Sequence, residues 1–419
     1  MYLLKKYPHW ISVTSWAEAF YTPRISVDRN KNRIVSLDLL RGVVMIIMAI
    51  DHVRDYFHKD AFIYSPTDLA QTSVPLFFTR WITHFCAPVF VFLAGISASL
   101  YEMKKGKKEL SFFLWTRGLW LIAVETIVLT AIKTFNFAFS YFNLQVIWAI
   151  GVSMILLAGV IQLRRNFILL IGLILVVAHN LLDHVHIEGN GILAFLWSLL
   201  HEMKEFHYGG VLIYIHYPVL PWIGVMVLGY YFGSIFSPDY SPAKRQRTLF
   251  YGGALAISIF ALLRSANIYG DPAAWSVQRN PAYSFLSFLN VTKYPPSLLY
   301  LLITLGPALI FLAVTERISG KWVNRISIFG RTAMFYYLAH LLLIHIGATI
   351  STLLCGYQFS DMVTSAPLSE SQQLKGYGFN LWAVYLIWGI LISLLYPLCK
   401  WYDNYKRKNI NKQWWLSYL

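Results

Sequence analysis

The chain has 419 residues, of which 57% are hydrophobic, 17% aromatic and only 13% charged. A soluble domain carries roughly 25% charged residues, so a water-soluble globule is excluded and the apolar residues must face lipid and one another. Lys and Arg outnumber Asp and Glu by 35 to 20, a net charge of +15. These cations fall in short loops between apolar runs, which assigns them to orientation and anionic headgroups and argues against nucleic acid.

Residues 1–35 are mixed and basic, with Lys5, Lys6, Arg24, Arg29, Lys31 and Arg33. They lack the compact apolar region of a cleavable signal, so the first span itself is expected to target the chain to the membrane. Apolar runs then recur at the ~20-residue length that crosses ~30 Å of hydrocarbon. They predict an all-α integral membrane fold of ten spans at 37–57, 77–101, 112–132, 144–162, 167–182, 211–236, 248–266, 297–315, 330–354 and 380–402. Strands are disfavoured because the runs are apolar on all faces rather than alternating. The apolar stretch 191–201 is too short to cross and is expected to lie at the interface or re-enter.

With the first end cytoplasmic, each predicted cytoplasmic loop is basic: Lys104 to Lys108, Arg164 and Arg165, Lys244 to Arg247, Arg317 to Arg325, and the tail. The opposite loops hold only scattered cations, Lys59, Lys133, Lys204, Arg279, Lys293 and Lys375. This asymmetry predicts a multi-pass protein of the cell membrane, the inner membrane in a bacterium, with both termini cytoplasmic. It divides the chain into a cytoplasmic segment 1–35, a transmembrane domain 36–402 and a basic tail 403–419.

An ionisable group inside a bilayer costs roughly 2.5–3.5 kcal/mol, so each one calls for a reason. The first span, SLDLLRGVVMIIMAIDHVRDYF, is the densest. Asp38 and Arg41 can pair at i,i+3. His52 returns to within about 20° of the Arg41 face some 16 Å along the axis, with Asp51 beside it and Asp55 able to orient its ring. A substrate reaching His52 from the cytoplasm would pass Arg41. In the second span Arg80 and His84 share a face, Pro88 should kink the helix, and Gly95, Ser97 and Ser99 permit close packing. Glu125 lies mid-span and requires a partner, Arg117 only through a bend, otherwise another helix. Pro218 and Pro221 should break the chain just after His216. Lys293 and Tyr294 precede a Pro-Pro pair, and Arg331, His340 and His345 lie on the ninth span, where each reads more simply as structural unless they converge on one cavity. Cys86, Cys355 and Cys399 form no pair motif, and His179, His184 and His186 give only a weak metal pattern, so no metal is expected.

Six segments together resemble the heparan-α-glucosaminide N-acetyltransferase-like family of membrane acyltransferases: SLDLLRG, AIDHVRDYF, THFCAPVFVFLAG, YPVLPWIGVMVLGY, KYPPSLLYLLITLGPAL and GRTAMFYYLAHLLLIH. The Arg41-x10-His52 spacing is also similar to that of the acyltransferase-3 family, whose members O-acylate sugars. The resemblance implies a transmembrane acyltransferase taking an acyl group, acetyl in the first instance, from cytoplasmic acyl-CoA to a sugar or glycan across the membrane. It implies His52 as base or acyl carrier and Arg41 as its acyl-CoA-side partner, with Asp38, Asp51 and His84 in support. Arg80, His216, Lys293, Tyr294, Arg331 and His340 are the expected substrate-binding groups. In the loop where eukaryotic relatives use a histidine, only His58 occurs, in a context (YFHKDAF) that does not match. A transporter or flippase using the Arg–His stripe as a proton relay is the competing reading, and a scaffold with a structural stripe a third. A homodimer is compatible with the sequence, and the acceptor, acyl length and amide or ester product are left open.

Overall fold

The computed structural model describes residues 34–410 and 412–417. The expected cytoplasmic segment therefore lies outside the described residues except at its last two positions, and the tail only partly inside them.

The described chain is mostly helical, and six helices are long and apolar enough to cross a membrane: Val74–Lys105, Lys107–Thr134, Pro242–Ala266, Leu298–Thr315, Ala333–Leu354 and Leu381–Asn409. Three more apolar helices are shorter, Val146–Val160, Arg165–Val177 and Leu220–Phe236. The first helix, Val35–Phe57, carries Asp38, Arg41, Asp51, Arg54 and Asp55. Each of the ten predicted spans overlaps one of these helices in part, and six of the helices meet the requirement of length and apolarity among the described residues. The chain is a membrane protein.

Four pairs of helices make the closest contacts, and each is seated on glycine. A Cβ on Gly95 would strike the Met226 carbonyl, and one on Gly229 the Phe92 carbonyl. Gly42 and Gly330 face the Ile326 and Asp38 carbonyls in the same way, while Gly118 meets Gly151 and Gly253 meets Gly306. Lipid tails are as apolar as Leu, so helices in a bilayer gain from contact area rather than from burial, and small residues allow the approach. The expectation for Gly95 and Ser99 holds, since Ser99 lies against Gly233. Ser97 instead accepts a hydrogen bond from Arg41 at 3.2 Å.

Pro88 does disturb its helix. A 3-10 turn, Ile82–Phe85, separates Val74–Trp81 from Cys86–Lys105. With no N–H on Pro88, the His84 carbonyl lacks its helical donor, and the Tyr300 hydroxyl supplies one at 2.8 Å.

One expectation fails outright. Residues 211–236 are not one span: Val211–Ile215 is a strand, and the helix begins at Leu220 with Pro221 in its first turn. With β1 (Tyr141–Leu144), β2 (Lys204–Tyr208) and β3 (Val211–Ile215), the chain builds a small sheet in the order β1-β3-β2, parallel between β1 and β3 and antiparallel between β3 and β2. The helix Ile192–Leu200, read from sequence as interfacial or re-entrant, covers this sheet. Its Ala194 joins Leu144, Phe206 and Ile215 in a separate small core.

The long connections gather at the His58 end of the first helix. Phe379 bonds to the backbone at Phe57 and Lys59, Thr364 to Thr134, Tyr283 to Thr72, and His179 to Pro296. The Arg41 end has short connections, Gly106 alone joining two helices, and its ion pairs include Arg245–Glu316 and Arg331–Asp403.

Gly95→Ala should lower the thermal midpoint in detergent, because overpacking at a helix contact costs about 1–3 kcal/mol. Gly159→Ala is the control: nothing lies within 4 Å of its Cβ direction, and removing a helical glycine gains about 0.5–1 kcal/mol. Equal midpoints for the two variants would refute the role assigned to the glycine contacts.

Candidate active site

At the His58 end the bundle opens into a cavity of about 600 Å³. Its floor is Met48, Ala87 and Phe90, and its walls come from the first two helices, the sheet, and the segments around Lys293 and Thr364 to Glu370.

The first helix delivers Asp51, His52, Arg54 and Asp55 to this cavity over a single turn. Asp51 takes a guanidinium on each oxygen: Arg54 at 2.7 Å on Oδ1, and Arg80 on Oδ2. The Arg54 contact is an ion pair without hydrogen-bond alignment. Arg54 also binds Asp55 at 2.5 Å. Asp55 is therefore committed to Arg54 and does not orient His52, contrary to the expectation from one-turn spacing. Asp51 serves the two arginines rather than the imidazole.

His52 is half-buried on the cavity wall, and its ring nitrogens make no hydrogen bond to the protein among the described residues. Its ring packs 5.2 Å from His340 and 6.5 Å from Tyr337. His340 is fully buried behind it and is held through Nδ1 by the Tyr336 carbonyl at 3.0 Å. The imidazole facing the cavity is thus positioned by packing and left chemically open.

Lys293 and Tyr294 arrive from the opposite wall on a clamped loop. Asp271 accepts from the Thr292 N–H at 2.8 Å, the Thr292 hydroxyl at 2.9 Å and the Ser297 hydroxyl at 2.7 Å. Arg264, only 2% exposed, donates to the carbonyls of Ala273, Ser287, Phe288 and Asn290. The result sets the Tyr294 hydroxyl 3.5 Å from Arg80 and its ring 4.2 Å from that of His216. Burial alone would raise the Tyr294 phenol, but Lys293 and Arg80 beside it bring it below the ordinary tyrosine value. Burial, with Lys293 and Arg80 added, pushes His216 down to about 3, so it stays neutral near pH 7 and acts as a polar neutral group.

Glu125 finds its partner in neither of the two expected ways alone. Lys133, two turns along beyond a π-helical segment Val124–Leu129, binds Oε1 at 3.0 Å. Oε2 accepts from the N–H groups of Ile147 and Trp148, capping the next helix. Lys133 also reaches Gln145 at 2.5 Å.

Of the residues singled out from sequence, Asp51, His52, Arg80, His216, Lys293 and Tyr294 share the cavity wall, and His340 touches His52 from behind. Five do not reach it. Arg41 and Asp38 lie at the far end, 3.5 Å apart, with the buried Val44 and Met45 between them and the cavity floor, so the passage expected to run from Arg41 to His52 is closed here. Arg331 makes a bidentate pair with Asp403 at the same far end. His84 is buried against Tyr300 at 5.4 Å between ring centres. His345 is held by the carbonyls of Ile132 and Met362 and is structural. His58, in the loop that did not match the relatives, does line the cavity and accepts at Nδ1 from the Asp60 N–H at 3.3 Å. Among the described residues no group of His, Cys, Asp and Glu is placed to hold a metal ion.

The sheet's contribution was not anticipated. Tyr141, Asn143, Gln145, Tyr214 and His216 alternate with apolar neighbours along two short stretches, YFNLQ and LIYIH. That period-two pattern is the signal that would have found them.

Residues 33–269, more than half of the chain, match a protein-family model described as heparan-alpha-glucosaminide N-acetyltransferase, catalytic. No curated protein matches the chain.

Two outcomes are expected. Removing one member of a buried ion pair costs about 3–5 kcal/mol, much of it from the stranded partner, so Asp51→Asn should destabilise more than Asp51→Asn combined with Arg80→Gln, measured by thermal unfolding. An additive cycle would mean that the two groups are not coupled. His216 has a folded-state value far below that of the unfolded chain, so its contribution to stability is complete above about pH 6.5 and falls as pH drops toward 3. His216→Asn should flatten the loss of thermal midpoint between pH 6.5 and 4, and an unchanged slope would remove His216 from that account.

Proposed function

Because the chain belongs to the catalytic family of heparan-α-glucosaminide N-acetyltransferase, in which acetyltransferase activity is the family's chemistry, we propose that it transfers an acyl group from cytoplasmic acyl-CoA to a sugar or glycan across the membrane. Acetyl is the expected group. Residues 36–402 form the transferase domain in this reading, with ten crossings and both termini cytoplasmic, and the Arg41 end faces the cytoplasm.

The observation that carries the reading is the state of His52: an imidazole on the wall of a solvent-reachable cavity, fixed by aromatic packing, with both nitrogens uncommitted. An amine or hydroxyl attacking a thioester must lose a proton, and imidazole is the side chain suited to take it near neutral pH. In the direct route the acceptor's nitrogen or oxygen bonds to the thioester carbon while His52 takes its proton. The tetrahedral intermediate then expels the CoA thiolate, which leaves as the thiol once protonated. In the alternative route His52 bonds to the acyl carbon first, releases CoA, and passes the acyl group to the acceptor.

Arg80 and Lys293 supply positive charge where a thioester oxygen becomes negative, and a cavity screened from bulk water strengthens such stabilisation. Lys293 has no carboxylate within ion-pair distance among the described residues, its near neighbour being the Tyr294 ring at 5.1 Å, so its charge is available to a substrate. At the other end Arg41 suits the phosphates of CoA. The donor's pantetheine arm has to cover the ~16 Å of helix between Arg41 and His52, past Val44, Met45 and Met48. Those side chains must move aside for the donor, and unbranched Met adapts readily. Partners are accordingly acyl-CoA, a glycan acceptor and membrane lipid.

His52→Ala should abolish acetyl-CoA turnover by the purified protein, a loss of about 10²-fold or more, with the melting curve unchanged. Full turnover in that variant would refute His52 as base or carrier.

A further inference from the structure

We propose that the cavity-facing side of the β1–β3 strand pair is the acceptor subsite, a platform for a carbohydrate ring in which Tyr141 and Asn143 make the deciding hydrogen bonds and Tyr214 supplies an aromatic face. This rests on the transferase reading above and gives it a location for the acceptor.

Strand geometry assigns the two faces. Successive side chains point to opposite sides, so Leu144, Ile213 and Ile215 turn to the covering helix while Tyr141, Asn143 and Tyr214 turn to the cavity. The parallel register sets Asn143 directly across from Tyr214, which makes the three side chains one continuous patch.

Tyr141 is 4% exposed. Neither its hydroxyl nor Asn143 Oδ1 has an aligned hydrogen-bond partner, although the two side chains lie close together. A buried polar atom left unpaired costs about 1–3 kcal/mol, and a ligand hydroxyl in the cavity would relieve that cost. Both atoms belong to residues that line the cavity. Gln145 on the same strand is different, because Lys133 already occupies its oxygen.

The chemistry of the patch selects the ligand class. Burial, with Glu205 nearby, raises the Tyr214 phenol to about 12, and burial raises Tyr141 further. Both therefore remain neutral donors at physiological pH. Neutral phenols and a carboxamide, which both donates and accepts, match the hydroxyl groups of a sugar. The flat phenol ring matches the sugar's C–H face. An anionic ligand would instead be drawn to Arg80 and Lys293 on the other wall, which leaves this wall for the uncharged part of the acceptor.

The test uses the full chain in lipid nanodiscs, with methyl α-D-glucosaminide as the probe and calorimetry as the readout. Tyr141→Phe, which removes one oxygen and keeps the ring, and Asn143→Ala should each weaken binding by about tenfold, the scale of one lost hydrogen bond to a ligand. Thermal midpoints within error of the parent show that both variants fold. Unchanged affinity in both variants, or no binding to the parent protein, overturns the subsite. Weakened binding in the variants together with no acetyl-CoA turnover by the parent supports the subsite and overturns the transferase reading instead.

Discussion

The pairing of Asp51 with two arginines is the constraint around which the site is built. Charge inside a bilayer persists only where opposite charge neutralises it and polar neighbours receive it, and here one carboxylate serves guanidinium groups from two helices. The first helix can therefore present DHVRD to a cavity without exposing unpaired charge to hydrocarbon. The same pairing fixes Arg80, which in turn fixes the Tyr294 hydroxyl. His52 stands one residue from this network and belongs to none of it. An imidazole whose nitrogens were spent on a carboxylate would be better anchored, and less available to a substrate proton.

A second constraint holds the opposite wall. The segment carrying Lys293 and Tyr294 has no regular structure, so its backbone groups need partners from elsewhere. Asp271 and Arg264 provide them from both sides, and Asn180 accepts the Leu298 N–H at 2.9 Å. Arg264 donates to three carbonyls at the end of the helix Pro281–Leu289, those of Ser287, Phe288 and Asn290, which is favourable because the helix C-terminus is negative. The precision of the site is supplied from residues that never touch it.

How much of this was legible follows from what each signal measures. The cost of intramembrane charge drew attention to the stretch Asp51–Asp55 and to Arg80, and those groups share one neutralised cluster. It also pointed to Arg331 and Arg41, which satisfy the same cost at the other end with Asp403, Asp38 and Ser97. Burial of charge is a requirement on the protein, and it does not say which end of a bundle satisfies it. Helical periodicity placed Arg41 and His52 on one face, yet one face is not one passage when Val44 and Met45 fill the space between. Partners chosen by sequence spacing failed at Asp55 because Arg54 is nearer than His52. The sheet was missed because hydropathy averages over a window longer than a five-residue strand, and β3 runs almost directly into an apolar helix.

Those two ends give the bundle its functional logic. A group-transfer enzyme in a membrane has to recognise a highly anionic donor on one face and a different acceptor on the other, and it has to keep the thioester from water in between. The separation of cations fits that need: Arg41 and the basic loops gather at one end, while Arg80 and Lys293 stand at the cavity with His52. Between them lies a short plug of flexible side chains rather than an open pore. A transporter relay would call for a chain of titratable groups across that plug. The plug is instead Val44, Met45 and Met48, which carry no proton. An acyl chain or a pantetheine arm can displace such side chains, and a proton cannot use them.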